Sequence, residues 1–470
     1  VTLGGGITVF CVIVTAYFTV FNTSQLAFTG LATLYLWRDR QQRTLRDLAL
    51  ASRVKSPPVV SIVAPAFNEA LTIVDSVQAL LAVEYEAHEI VVVNDGSSDD
   101  TLRVLTQAFH LVPAPVAFEQ PLTTAPVRGV YRSTVRPELV VVDKENGGSK
   151  GDAANAGINA ASGALILVVD ADTLLEPDAL TRAVVPFLED ARTVAVGGYV
   201  AIINGARVEA GRVINVAMPR SWLARFQIVE YMRSFLIFRL ACAAHNAVPL
   251  ISGAFGLFRR DAVIDVGGYG HRAIGEDLDL TLRIQESYRA RRQPVRIAFV
   301  PIPVCWTQAP EDVASLRSQR YRWRRGLLQS LWWQRRMIAN PRYGVLGMLV
   351  VPYIVVIEGL GPLLETTGYA VTSIAAAAGV LYWRHYAVLL AVSVLFGAAR
   401  TLVAVLLSDL STQRYLRSRD LAILFAAAIL ENFGYHQLNT WWSCVGTVQA
   451  VTGTGGWGRI NRSAFGTRPE

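Results

Sequence analysis

Charge is what this sequence has least of. Only 17% of its 470 residues are Asp, Glu, Lys or Arg, against 52% hydrophobic, and the mean hydropathy is +0.34. Ordinary soluble domains carry about 25% charged residues, so the composition points toward the membrane class while the more polar middle third still reads as globular. Cysteine is scarce too. Cys11, Cys242, Cys305 and Cys444 are scattered and form no Cys-x-x-Cys, which indicates neither a zinc site nor a disulfide framework. No Walker pattern occurs, which disfavours a P-loop ATPase, and there is no internal repeat. The first apolar segment is too long for a signal-peptide core and lacks a cleavage site. The chain opens at Val1 rather than Met, so residues are expected to precede it.

The charge that is present is basic, a net +7, and unevenly placed. Arginines cluster beside apolar runs, at Arg38, Arg40, Arg43 and Arg46, at Arg320 to Arg325, at Arg335 and Arg336, and at Arg414 to Arg419. That placement fits the positive-inside rule and anionic headgroups rather than nucleic acid.

Five segments follow from these patterns. Residues 1–37 read as one long, tilted transmembrane helix, because two halves broken at Asn22–Gln25 would each be short for a bilayer. Residues 38–310 read as a cytosolic α/β domain. Its strands are expected at Val59–Ala64, Glu89–Val93, Leu139–Val142, Ala164–Val169, Val194–Val200, Ile251–Phe258 and Val295–Val300, with helices between them, such as Leu71–Leu81 and Asp152–Ala161. The Pro- and Thr-rich stretch Val112–Arg136 reads as a loop or insertion. Residues 311–342 interleave Arg with Trp and Leu, as in a helix lying in the headgroup plane. Residues 343–442 hold apolar blocks for transmembrane or interfacial helices, one containing Gly361-Pro362 and another Glu431, Asn432, His436 and Gln437. Residues 443–470 read as a basic cytosolic tail. The expected topology places the N-terminus outside and the α/β domain inside.

The chemistry gathers where strands end. Asp170 and Asp172 follow a buried apolar strand and share one side of it, at the edge where open α/β sheets bind ligands. Paired carboxylates there suit Mg²⁺ or Mn²⁺ shared with substrate phosphates, although Asp also favours turns and caps. Pro65-Ala66-Phe67-Asn68-Glu69 leads from a strand into a helix, with Asn68 as an alternative helix cap. Asp95, in Asn94-Asp95-Gly96-Ser97-Ser98-Asp99, sits at a strand end where a carboxylate can accept the imide N–H of a pyrimidine. Capping accounts for Ser98 or Asp99 but not for Asp95. Asn146-Gly147-Gly148-Ser149-Lys150 is a glycine-rich loop ending in lysine at a helix start, suited to anions.

Taken in order, Pro65…Asn68-Glu69, Asn94-Asp95-Gly96-Ser97, Asn146-Gly147-Gly148…Lys150…Asn155, Asp170-Ala171-Asp172, Gly275-Glu276-Asp277 and Gln319-Arg320-Tyr321-Arg322-Trp323 resemble the membrane-integrated, inverting family-two glycosyltransferases of the GT-A fold. Cellulose, hyaluronan, chitin and poly-N-acetylglucosamine synthases are of this kind. The resemblance covers roughly Val59 to Arg325. It implies a Rossmann-like, mixed, mostly parallel sheet in a cytosolic domain, α-helical transmembrane and interfacial segments, and a uridine diphosphate sugar as donor. By the same resemblance, Asp95 reads the uracil, and Ala66 and Glu69 lie near the nucleoside. Lys150 lies near the nucleotide, Asp170 supports that site and Asp172 ligates Mg²⁺ or Mn²⁺. Asp277 is the general base, with Glu276 as the alternative carboxylate. Gln319, Arg322 and Trp323 serve phosphate and acceptor sugar. Thr usually precedes the Glu-Asp pair in this family, and Gly275 stands there instead. Gly456-Trp457-Gly458-Arg459 loosely matches a C-terminal Trp-Gly gating element, with a basic tail as the alternative.

Three readings of function follow. The first is a processive synthase that elongates a β-linked polysaccharide and passes it through its own helices in the plasma (inner) membrane. The second is a transferase that adds one or a few sugars to a membrane lipid acceptor. The third is a non-catalytic, nucleotide-regulated channel, against which the acceptor-side carboxylates argue. Partners expected are the donor, the acceptor and the bilayer, with no nucleic acid. An accessory subunit, the donor sugar and the linkage are not legible.

Overall fold

The computed structural model describes residues 3–51, 57–114, 119–170, 173–209, 211–379, 383–412 and 418–454. Asp172 and the Gly456–Arg459 element lie outside the described residues, so nothing structural attaches to those two expectations.

The strands are β1 (Val60–Ala66), β2 (His88–Asp95), β3 (Leu111–Pro113), β4 (Val127–Ser133), β5 (Leu139–Lys144), β6 (Leu165–Val168), β7 (Leu174–Leu175), β8 (Thr193–Ile202), β9 (Arg207–Glu209), β10 (Arg212–Asn215), β11 (Gly256–Arg259) and β12 (Arg296–Thr307). Ten of them form one mixed sheet in the order β3-β4-β5-β2-β1-β6-β11-β8-β12-β7, while β9 and β10 make a separate hairpin. The middle block β5-β2-β1-β6 is parallel. Its strands centre on Val, Ile and Leu runs whose side chains are almost all buried, as in a sheet covered on both faces. Val112–Arg136 is not simply a loop. It contains part of β3 and all of β4, which pair antiparallel and extend the sheet beyond β5.

Parallel register brings chemistry together. Ala66 at the end of β1 pairs with Asn94, and Asp95 at the end of β2 pairs with Lys144 at the end of β5. The carboxyl ends of β1, β2, β5 and β6 therefore form one edge, the edge at which open sheets bind ligands.

Helices surround this edge on the far side. Leu3–Ala51 is a single 49-residue helix, unbroken at Asn22–Gln25. Its polar residues turn toward other helices instead of ending it: Gln25 Nε2 donates to the Tyr353 hydroxyl at 2.6 Å, and the Tyr17 hydroxyl donates to Glu365 Oε1 at 3.2 Å. Leu346–Ala377 is a 32-residue helical run containing an 18-residue stretch of mean hydropathy 1.9, long and apolar enough to cross a membrane. Gly361-Pro362 does not break it. Pro362 begins a new α-helical stretch just after a π-helical turn, Ile354–Leu360, where its missing N–H is tolerated. Trp383–Thr412 forms a further helix. Ser418–Leu430 and Tyr435–Thr452 meet at a 54° bend, and the second carries helix well past Trp442, where hydropathy placed the start of the tail.

Candidate active site

The turn after β1 is built around Asn68. Its backbone is left-handed, with φ 57°. Asn68 Oδ1 accepts from the Ser98 backbone N–H at 2.8 Å, and Ser97 Oγ faces the Asn68 N–H at 3.0 Å. Asn68 therefore staples the turn after β1 to the turn after β2, and the following helix, Ile73–Leu81, is entered through Thr72. The capping alternative for Asn68 does not hold. Asp99 Oδ1 does accept the Thr101 N–H at the next helix start, 3.0 Å away. Ala66 and Glu69 line the cavity described below, and Glu69 Oε2 accepts from Thr72 Oγ1 at 2.7 Å.

Asp95 is buried and Lys144 fully so. Lys144 Nζ donates to Asp95 Oδ1 at 2.5 Å and lies 2.6 Å from Asp152 Oδ1. The Gly147 N–H also donates to Asp95 Oδ1, at 3.1 Å. Gly147 must lack a side chain, because a Cβ there would stand 2.1 Å from Asp152 Oδ1. Ser149 caps the helix Lys150–Ala160 by accepting the Asp152 N–H. Neither Lys144 nor Asp152 was a sequence candidate. A lysine closing a strand carries no signal until register shows which carboxylate faces it.

Lys150 opens that helix and pairs with Asp170 Oδ1 at 2.7 Å. Burial pulls the Lys150 ammonium down, but Asp170, Glu276 and Asp277 outweigh it and hold its pKa above the ordinary value. The Asp170 carboxylate pairs with Lys150, and the charges of Glu276 and Asp277 act on the same ammonium.

Glu276 and Asp277 begin the helix Glu276–Ala290. Asp277 Oδ2 accepts the Gly253 N–H at 2.9 Å and Oδ1 accepts the Leu278 N–H at 2.8 Å. Its carboxylate is held by backbone rather than locked against a cationic side chain. Glu276 is pushed up to about 7, chiefly by burial, with Lys150 opposing and Asp277 adding to the rise. The loop before them is clamped twice. Asn155, wholly buried, donates to the Tyr269 carbonyl and accepts the Tyr269 N–H. Gln329 Oε1 accepts the Ile274 N–H at 2.9 Å.

Gln329 belongs to the helix Val313–Trp333, which carries Gln319, Arg322 and Trp323. That helix passes so close to the loop that a Cβ on Gly326 would lie 2.8 Å from the Gly275 nitrogen. Gly275, where the family usually has Thr, meets Gly326 backbone to backbone. Arg320 makes a two-pronged contact to Glu230, at 2.5 and 2.8 Å, and lies over the Trp323 ring at 4.7 Å. Buried Arg324 donates to Thr447 Oγ1 and to the carbonyls of Glu358 and Gly359. Gln319 Oε1 is buried with no hydrogen-bond partner among the described residues.

One cavity of 2920 Å³ joins these groups. Ala66, Glu69, Asp95, Lys150, Asp170, Glu276, Asp277, Gln319, Arg322 and Trp323 all line it, and it continues among the apolar helices past Tyr17, Glu365, Tyr369 and His436. Among the described residues no three His, Cys, Asp or Glu side chains form a metal cage. A cage is not what a nucleotide-bound ion needs. Mg²⁺ is usually held by one or two carboxylates plus substrate phosphates, and Asp170, a cavity-lining carboxylate beside Lys150, fits that donor set.

Two family models match the chain, one described as glycosyltransferase-like family 2 over residues 125–326 and one as glycosyl transferase family 2 over residues 61–118. The chain is similar to the poly-beta-1,6-N-acetyl-D-glucosamine synthase of Staphylococcus aureus (strain COL), 29% identical over 260 residues that cover 55% of this chain and 52% of that one. It is similar also to the synthase of the same name from Staphylococcus epidermidis, 26% identical over 304 residues, 64% of this chain and 63% of the relative. The matched region thus spans about half to two thirds of these relatives. Among solved structures, the mannosyltransferase PcManGT from Pyrobaculum calidifontis, in complex with GDP-Man and Mn²⁺, superposes with a TM-score of 0.51 at 20% identity, over 88% of this chain and 99% of that one. That likeness establishes a GT-A fold.

Proposed function

The chain belongs to family two of the glycosyltransferases, and on that premise we propose that it transfers sugar from a uridine diphosphate donor onto a growing β-linked polysaccharide. The observation that carries this reading is the single cavity. It holds the strand-end carboxylates, the acceptor-side pair and the signature helix, and it runs on between the apolar helices, as a polymer path requires and a small product does not.

Asp95 receives the uracil imide N–H, and Ala66 and Glu69 border the nucleoside. Asp170, with Asp172, would hold Mg²⁺ or Mn²⁺, which when bound supplies positive charge to the departing diphosphate. Lys150 and Arg322 are placed to oppose the same charge. A guanidinium suits phosphate oxygens because its fork of N–H groups matches them in pairs. Trp323 offers a flat face to the acceptor sugar. Asp277 takes the proton from the acceptor hydroxyl as that oxygen attacks the anomeric carbon opposite the diphosphate, giving inversion. Gly253 N–H and Leu278 N–H fix the Asp277 carboxylate, so its reach depends on the loop and not on a flexible ion pair. The β-1,6-N-acetylglucosamine synthases among the relatives make UDP-N-acetylglucosamine the first donor to try.

The test is product size. Full-length chain in detergent with labelled UDP-N-acetylglucosamine, UDP-glucose or UDP-galactose and Mg²⁺ or Mn²⁺ yields label in high-molecular-weight material. Label confined to an organic-solvent extract replaces the polysaccharide with a lipid acceptor. No transfer from any nucleotide sugar removes the enzymatic reading.

A further inference from the structure

Lys144 is a fully buried lysine, and three oxygens stand within 2.6 Å of its Nζ: Asp95 Oδ1, Asp152 Oδ1 and the Glu145 carbonyl. An ammonium has three protons to donate, so each is used. The two carboxylates come from different elements, Asp95 from the end of β2 and Asp152 from the first turn of Lys150–Ala160. We infer that Lys144 is a positioning residue for nucleobase selection: it pins Asp95 Oδ1, leaving Oδ2 to face the base.

The inference rests on the reading of Asp95 as the nucleobase carboxylate and adds how that carboxylate is aimed. Oδ1 is occupied twice, by Lys144 and by the Gly147 N–H. A carboxylate so held at one oxygen cannot rotate freely, and Asp95 lines the cavity. Uracil presents an N–H at its imide position and pairs with Oδ2. Cytosine presents a lone pair at the same ring position and meets it with repulsion. A site built rigidly around one donor rejects the analogue lacking it, because the buried acceptor is left unpaired. Rigidity is the quantity Lys144 supplies. Asp152, which also accepts the Ala125 N–H at 3.1 Å and lies 3.3 Å from His271 Nδ1, anchors the lysine from behind.

The experiment measures UDP and CDP binding to the full chain by calorimetry with Mg²⁺ present, for the parent, Lys144→Met and Asp95→Asn. Lys144→Met is expected to lower the UDP-over-CDP preference at least tenfold and to raise KM for the donor while kcat changes much less. A lysine that merely holds the fold would lower the melting temperature and leave that preference intact, which overturns the inference. Should Lys144→Met fail to fold, Asp152→Asn retains the lysine but removes one of its anchors. A reduced preference there supports the inference and an unchanged one overturns it. If Asp95→Asn leaves the preference untouched, the nucleobase reading of Asp95 falls and takes this inference with it. If Asp95→Asn abolishes the preference and Lys144→Met does not alter it, only the role of Lys144 is lost.

Discussion

Asp277 and Glu276 are sequence neighbours at one helix start, yet their surroundings divide them. Asp277 is held by two backbone N–H groups, whereas Glu276 is buried enough to titrate at about 7. Replacing Asp277 with Asn keeps its shape and removes its basicity, so kcat should fall about 10²–10⁴-fold, with UDP binding retained by calorimetry. For Glu276 the folded pKa lies above the ordinary carboxylate value. The folded state therefore holds a proton that the unfolded chain has lost, and the stability this provides is present below about 4.5 and disappears as pH rises through about 7. Glu276→Gln mimics the protonated form. It should raise the melting temperature at pH 8 and leave it nearly unchanged at pH 4.5, as thermal scans at the two pH values would show. At this scale the structure brings the motif residues Asp95, Lys150, Asp170, Glu276 and Asp277 to the border of one cavity. Partners were another matter. That Lys144 faces Asp95, or that Lys150 pairs with Asp170 within the field of Glu276 and Asp277, follows from strand register and loop closure, which no local pattern encodes.

The element that organises the site is the helix Val313–Trp333. The Gln319–Trp323 motif stands out in the sequence, but the helix's grip on the loop before Glu276 does not, because Gly326 and Gln329 look ordinary. Gly326 matters by having no side chain against Gly275. Gly326→Ala should force helix and loop apart at a cost of about 1–3 kcal/mol, lowering transfer more than it lowers nucleotide binding at the strand edge. Paired turnover and UDP titration would separate the two effects. Strand β4 eluded the hydropathy pattern for a related reason. Its flanks are rich in Pro and Thr, and most of its residues are only partly buried, so it lacks the continuous apolar run that announces an inner strand. The long first helix was legible as one piece, and its polar interruption is explained only by the tertiary contacts of Tyr17 and Gln25.

For the molecule as a whole, one cavity runs from the strand-end carboxylates to the space among the apolar helices. Chelation with EDTA should abolish transfer, and Mg²⁺ or Mn²⁺ should restore it, as initial rates of sugar incorporation would show. Arg320→Lys keeps a charge but loses the two-pronged contact with Glu230, so the Trp323 platform should loosen and chains released should shorten, measured by size-exclusion of labelled product.

Arg324 grips main-chain oxygens of the apolar helical run Leu346–Ala377, and Arg320 reaches Tyr435 in the final helix. The Gln319–Trp323 helix is thus tied to the very scaffold that a biochemist would trim away to obtain a soluble reagent. A fragment of residues 57–334 would strip Arg324 of Thr447, Glu358 and Gly359 and Arg320 of Tyr435, leaving Arg320 its ion pair with Glu230. Inhibitor screens and donor assays on such a fragment would therefore interrogate a different object from the intact chain.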